Sequence, residues 1–303
     1  MTSVAAAAGP GEDGRAARER PLAQAGARQP IAGLELPEPA ETRRPHVVTP
    51  DDRGAIVAVL ERCPLLSGLS RADVSAIADL CRFQPFMAQT DIFVEGQPCD
   101  GLWVLAAGRV RLYHSAADGR QHVVSFRGPS SSLELGPALD GRSYTATATA
   151  LDDCMLVFVP RPVLSQLARH YPVTIRNTID QLCLELRQRD IATAVATLKD
   201  ARGRIGCALL QLARQYGLRT AHGLRIGFRL TRQDIADRSG VTIETAIRVL
   251  SDLQRQGIVR TQAQMIEILD MARLQDPTNC GECQFDCSVF GGSLAGFGNP
   301  TSL

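Results

Sequence analysis

The chain has 303 residues, of which 45% are hydrophobic and 21% charged, and 33 Lys and Arg against 32 Asp and Glu leave a formal net charge of +1. That length holds two modest domains and a tail, and the composition is ordinary for a folded cytosolic protein able to bury sizeable cores. No run approaches the roughly 18 consecutive apolar residues of a membrane span, and the N-terminus lacks the basic-then-apolar order of a secretory signal. Neither membrane association nor export is expected, and the cytoplasm is the expected compartment. The nine cysteines are scattered through apolar stretches apart from one close trio near the end, which fits a reducing compartment better than a disulfide framework.

Residues 1–50 are rich in Ala, Gly, Pro, Glu and Arg without apolar periodicity, and are expected to be a disordered leader. Asp51 to Leu60 starts a helix. Ser70, followed by Asp73, Val74, Ile77, Ala78, Leu80 and Cys81, has the capped amphipathic pattern of a second. From Phe83 the period changes to short alternating or apolar runs near residues 92–94, 102–106, 110–114, 122–126, 145–150 and 155–159. Turn pairs such as Glu95-Gly96, Ala107-Gly108 and Asp118-Gly119 separate them, so residues 51–160 read as a small antiparallel roll or barrel.

The helical period returns in residues 161–198 with Leu164 and Leu167, then Ile175, Ile179, Leu182 and Leu186 beyond Pro172. Spacings alternating four and three make a heptad seam, which in register meets Arg189 and Thr193. A long helix with one seam between two domains is expected to pack on its copy in a homodimer; the alternative is packing on its own roll. Residues 199–275 form the next unit. Asp200 caps a helix through Ile205, Ala208, Leu209, Leu212 and Tyr216, a short strand follows near Leu224 to Phe228, and Ile258-Val259 and Met265 to Leu269 add two more. Residues 276–303 are a cysteine-containing tail.

Within that unit Thr231 caps a helix, Asp234 completes a capping box, Ile235 and Ala236 face inward, and Gly240 permits a left-handed turn. In the helix beyond it Ala246, Val249, Leu250 and Leu253 form one apolar stripe, while Glu244, Ile247, Arg248 and Ser251 fall on the opposite one. A free face with Glu and Arg can accept from a cytosine amino group and donate twice to guanine. The segment therefore reads as a winged helix-turn-helix that binds double-stranded DNA, against the alternative of a solvated helical hairpin. Ala201 to Arg260 holds eleven Arg, no Lys and four acidic residues, a local excess of seven positive charges of the kind phosphate binding requires. No Ser/His/Asp order, phosphate loop or paired carboxylates appear, so an enzyme is not expected.

From Cys63 to Leu274 the order resembles the Crp/Fnr family of bacterial transcription regulators. Its anchors are Gly96 and Gly108, the Glu-Leu-Gly at Glu134 to Gly136, the Gly-Arg-Ile at Gly203 to Ile205, and the strings around Thr231 and Glu244. The resemblance implies an α+β architecture: an N-terminal antiparallel, jelly-roll-like sensor roll of eight strands, a long dimerisation helix and a C-terminal winged helix-turn-helix. It implies base readout by Glu244 and Arg248, with Ile247 where a subgroup similar to Fnr has Ser, so that contact with a thymine methyl replaces a hydroxyl contact. Thr231, Arg232, Gln233, Thr242 and Thr245 are the expected phosphate contacts. The expected partners are a two-fold symmetric DNA site with half-sites about one helical turn apart, a second copy of the chain, and RNA polymerase.

In cyclic-nucleotide-binding members a Glu accepts from the ribose and an Arg neutralises the cyclic phosphate. Glu134 stands where that Glu belongs, but Tyr144, followed by Thr145, stands where the Arg belongs, so cyclic AMP is not expected and Glu134, Tyr144 and Thr145 mark only a candidate effector pocket. Arg142 lies two residues, roughly 6 to 7 Å, away. The resemblance to oxygen sensors of the Fnr type implies N-terminal cluster cysteines, and there is no cysteine before Cys63. At the other end Cys280, Cys283 and Cys287 have spacings that suit a [4Fe-4S] cluster, zinc, or a metal-free redox-active tail, and either metal site needs a fourth ligand from Asp286, another cysteine or a second chain. The expected signal is thus redox, oxygen or nitric oxide. His114 and His122 offer a haem reading beside that of solvated hairpin residues. Cys63, Cys81, Cys154, Cys183 and Cys207 are expected to be small core residues, with Cys99 less clearly so. The competing functional reading is a metal- or partner-binding module without sequence-specific DNA binding, or a regulator that senses a small ligand in the roll.

Overall fold

The computed structural model describes residues 50–275 and 287–290; the expected disordered leader and Cys280 and Cys283 lie outside the described residues. The architecture is α+β. Helices α1 (Pro50–Glu61) and α2 (Arg71–Ala78) come first, and Ser70 caps α2 by accepting from the Asp73 amide. Eight strands follow: β1 (Arg82–Phe86), β2 (Asp91–Phe93), β3 (Gly101–Ala107), β4 (Val110–Ser115), β5 (Gln121–Arg127), β6 (Ser132–Leu133), β7 (Thr147–Ala150) and β8 (Cys154–Pro160), with α3 (Leu135–Asp140) between β6 and β7.

These strands form two four-stranded antiparallel sheets, ordered β1-β8-β3-β6 and β2-β7-β4-β5. Leu102, Leu105, Leu112, Leu133 and Leu156 are fully buried in the core of the roll. Strand β3 is buried over five consecutive residues because α1, α3 and α4 cover its outer side, which is why its sequence runs apolar instead of alternating. At the turn after it Gly108 has φ +87, and a Cβ there would stand 2.6 Å from the Cys154 sulfur. Only glycine suits that corner.

Helices α4 (Arg161–His170) and α5 (Pro172–Leu198) leave the roll. With 27 residues, α5 is about 40 Å long. The first half is pinned to the roll's entrance: Asn177 donates to the carbonyls of Leu65 and Ser67 at 3.1 and 2.8 Å, and Arg127 of β5 donates to Glu185 at 3.1 Å. The seam residues Ile175, Ile179, Leu182 and Leu186 remain 37–60% exposed. In the second half the covered face is Ile191 and Val195, two residues or about 200° around the helix from the seam positions Arg189 and Thr193. Cys183, expected in the core, is exposed on α5; an isolated long helix covers only the faces its neighbours reach.

The last unit contains α6 (Ala201–Tyr216), β9 (Gly217–Arg219), β10 (Leu224–Ile226), α7 (Arg232–Ser239), α8 (Ile243–Arg255), β11 (Val259–Gln262), β12 (Met265–Ile268) and α9 (Met271–Gln275). Its sheet order is β11-β12-β10-β9, with β11 and β12 as the wing hairpin. Asp200 caps α6 by accepting from the Gly203 amide at 2.7 Å. The unit docks on the roll: Tyr113, Val123 and Phe126 of β4 and β5 share one apolar cluster with Phe228, Ile235 and their neighbours, and Tyr216 donates to the Phe126 carbonyl at 2.5 Å. Among the described residues no helix is long and apolar enough to cross a membrane.

Candidate nucleic-acid interface and effector region

The α7–α8 pair is built by local chemistry. Thr231 accepts from the Asp234 amide at 3.0 Å, and the Asp234 carboxylate accepts from the Thr231 amide at 2.9 Å, a reciprocal box that satisfies two otherwise unpaired donors. Gly240, at φ +60, turns the chain. Thr242 then caps α8 by accepting from the Thr245 amide at 3.3 Å. Ala246, Val249, Leu250 and Leu253 are buried against the unit's core.

The opposite stripe of α8 is open, with Glu244, Ile247, Arg248 and Ser251 all exposed. Its own amide and the Thr242 hydroxyl hold the Glu244 carboxyl below the usual carboxylate range, so at neutral pH it is an acceptor only. Among the described residues Arg248 has no hydrogen-bond or ion-pair partner, which leaves its planar fork available for bidentate pairing. Ile247 is 45% exposed, an apolar side chain between the two charged ones.

The residues expected at phosphates are differently placed. Arg232 is half-buried and donates to Thr261 of the wing at 3.1 Å, and Gln233 donates to Asp237 at 2.6 Å. The Thr231, Thr242 and Thr245 hydroxyls are engaged in the caps. Between α7 and the wing lies a cleft of about 240 Å³ bordered by Leu230, Thr231, Arg232, Thr261, Gln262 and Gln264. The wing turn uses Ala263 and Gln264 at φ 48 and 64, a left-handed pair without glycine, held by the Leu230 amide donating to the Gln264 carbonyl at 2.8 Å. Such strain commonly marks a functional tip.

In the roll Glu134, Tyr144 and Thr145 come together. The Glu134 carboxylate is 8% exposed and accepts from the Thr145 amide at 3.1 Å and from its hydroxyl. Tyr144 stacks on Phe93 with centroids 3.8 Å apart and planes 8° from parallel, and burial raises its phenol pKa. The aromatic ring of Tyr144 is thus packed into the core, and the Arg142 side chain is 87% exposed beside Asp140. His114 and His122 are directly opposite in the β4–β5 ladder, and His114 pairs with Glu95 at 3.1 Å.

Cys63, Cys81, Cys99, Cys154 and Cys207 are buried. Burial pushes the Cys63 thiol up to about 11 and raises those of Cys81, Cys99 and Cys154, which makes these four poor nucleophiles. Cys280 and Cys283 lie outside the described residues, and Cys287 begins a short 3-10 helix, Cys287–Phe290. Val289 and Phe290 pack on Ile191, Val195 and Cys207, and Gln188 donates to the Val289 carbonyl at 2.7 Å. Among the described residues no group of three His, Cys, Asp or Glu converges on a metal position.

Missed in the sequence were the contacts that join the units. Arg111 of β4 reaches Asp234 at 3.5 Å. Arg109 pairs with Asp152, donates to the Gly227 carbonyl at 3.2 Å and lies over the Phe228 ring. These partners are distant in sequence and leave no local signal.

Two family models match the chain: a cyclic nucleotide-binding domain over residues 83–171 and a Crp-like helix-turn-helix domain over residues 203–276. The CRP-like cAMP-activated global transcriptional regulator of Mycobacterium tuberculosis is 27% identical over 216 residues, 71% of this chain and 96% of that protein. The nitrogen fixation regulation protein FixK of Azorhizobium caulinodans is 32% identical over 175 residues, 57% of this chain and 69% of its own. The solved structure of FixK2 from Bradyrhizobium japonicum is similar at a TM-score of 0.59 and 26% identity, covering 65% of this chain and 96% of that one. Residues 277–303, with the cysteine trio, lie beyond both family models.

Proposed function

This chain belongs to the Crp/Fnr family of DNA-binding transcription regulators, and from that premise we propose that it acts as a homodimer on a two-fold symmetric DNA site under redox, oxygen or nitric-oxide control. The observation that carries the DNA reading is the open stripe of Glu244, Ile247 and Arg248 on a helix whose other face is buried. In the major groove Glu244 accepts from a cytosine amino group, Arg248 donates to O6 and N7 of a guanine, and Ile247 meets a thymine methyl. Arg232, Gln233 and the cap residues Thr231, Thr242 and Thr245 approach phosphates, which orients the helix without reading sequence. The exposed seam of α5 joins two copies, so the two recognition helices face half-sites about one turn apart. RNA polymerase is the partner through which such a regulator acts.

Selection from a random duplex library tests this. Enrichment of an inverted repeat is the expected result, and unselective recovery contradicts it.

For the signal, Cys280, Cys283 and Cys287 are the proposed ligands of a [4Fe-4S] cluster. Thiolates are the donors that iron–sulfur clusters and zinc take, so the set fits in chemistry and lacks a fourth member. A bound cluster would supply chemistry sensitive to oxygen and nitric oxide. The roll is proposed not to bind cyclic AMP, because Tyr144 stacked on Phe93 supplies no charge for a cyclic phosphate. Anaerobic purification with iron, sulfide and zinc analysis separates the alternatives. Iron with sulfide supports the cluster, zinc alone replaces it with a zinc site, and a metal-free chain moves sensing to a thiol, or to a small ligand in the roll. Haem at His114 or His122 would show in the same absorption spectrum.

A further inference from the structure

The second half of α5 has one covered face. Gln188, Ile191 and Val195 fall three and four residues apart, which places them on one stripe of the helix, and Ile191 and Val195 are 8% and 9% exposed. Among the described residues their apolar cluster holds Cys207 of α6, Phe290 and, packed against it, Val289. It is separate from the cores of the roll and of the DNA-binding domain. Without Val289 and Phe290 the stripe would keep only Cys207 as a partner in that cluster.

The short helix Cys287–Phe290 packs on both α5 and α6 and so fills the angle where the two meet. Phe290 is the anchor, 6% exposed. Gln188 donates to the Val289 carbonyl at 2.7 Å, and this main-chain acceptor fixes the register of the two apolar side chains. The joint they cover is slight. Lys199 and Asp200, both extended, are the whole link between α5 and α6, and Arg204 of α6 donates across it to the Ala196 carbonyl at 3.2 Å. Gln188 lies two residues, about 200° around the helix, from Leu186 of the exposed seam, so a segment seated on this stripe leaves the seam open to a second copy.

We propose that the α5–α6 joint is a docking groove for the chain's own Val289 and Phe290, and that the docked segment is a strap fixing the DNA-binding domain against α5. Both residues lie beyond the two family models, so the strap is an addition to the matched domains. With it in place the two recognition helices of a dimer stand at a set separation before they meet DNA. Without it each domain turns about Lys199 and Asp200 and has to be ordered on binding, which costs affinity. The docking rests on contacts within one chain; its effect on DNA rests on the reading of α5 as the dimer helix and of α8 as the reader.

The test uses the full-length chain. Phe290→Asp puts a charge in the groove and is expected to raise deuterium exchange in residues 188–198 and in the first turns of α6 by about tenfold, the scale of one lost buried aromatic side chain. The strands of the roll and α7 are expected to exchange as in wild type, and Phe290→Leu, which keeps an apolar anchor, to exchange near wild type throughout. Wild-type exchange across α5 and α6 in Phe290→Asp overturns the docking. For the strap, a duplex with two half-sites is expected to bind Phe290→Asp at least about fivefold more weakly, within the ordinary range of coupling between sites, and a duplex with one half-site to bind it as it binds wild type. Equal affinity of the two chains for the two-half-site duplex overturns the strap. Exchange is read without DNA, so a failure of the α8 reading leaves the docking result in force.

Discussion

Arg111 of the roll and Asp234 of the DNA-binding domain form an ion pair at 3.5 Å, with side chains only 16% and 11% exposed. The same carboxylate accepts from Thr231 at 2.9 and 2.6 Å, so the group that specifies the start of α7 also ties it to strand β4. The pair is a direct link between β4 and the first turn of α7.

Arg111→Met is expected to keep the capping box and loosen the docking. Losing one partly buried charged contact costs about 1 kcal/mol, and the α7 amides should exchange faster with deuterium. Exchange equal to wild type throughout α7 would show that the pair carries no coupling.

Asp237, one helical turn on, is 6% exposed, accepts from Gln233, and has its other oxygen, Oδ2, buried without a partner among the described residues. Burial raises its pKa, Asp234 pushes the same way, and Gln233, Arg111 and His122 oppose. A carboxyl whose folded pKa is raised contributes stability that is full below its unfolded value of 3.8 and is lost as pH rises through the folded value. Asp237→Asn should therefore be more stable than wild type at neutral pH, and the difference should shrink toward the unfolded value. Urea unfolding from about pH 4 to about pH 8 measures it; a constant difference contradicts the assignment.

The exposed seam makes a separate prediction. Ile179 and Leu186 are 54% and 60% exposed, so glutamate at both should leave the roll folded. If they are the dimer contact, each apolar side chain is worth roughly 1.5–3 kcal/mol per chain, and the double variant should sediment as a monomer. A dimer of unchanged strength would assign the interface to another face.

What was legible in the sequence is what neighbouring residues decide. The Thr231–Asp234 box, the turn at Gly240 and the stripe from Ala246 to Leu253 are local arrangements, and the chain adopts them. Strand β1 gave a weak signal because it is an edge strand containing Pro85, and edges tolerate proline; β6 has two residues, too few for a period. Periodicity located α5 but not which of its faces would be covered. Cys183 therefore lies outside the core, and Ile191 and Val195, off the seam, lie against α6 and the tail. The Arg111–Asp234 pair spans 123 residues, a separation at which no sequence pattern points to a partner.

The central claim is that Glu244 and Arg248 read base pairs, and fluorescence anisotropy with the selected duplex, across several salt concentrations, tests it most directly. Arg248→Ala and Glu244→Ala should each lose roughly 1–3 kcal/mol of discrimination between the selected and a scrambled duplex while the salt-dependent non-specific binding persists. Discrimination unchanged in both variants would contradict readout by this face of α8.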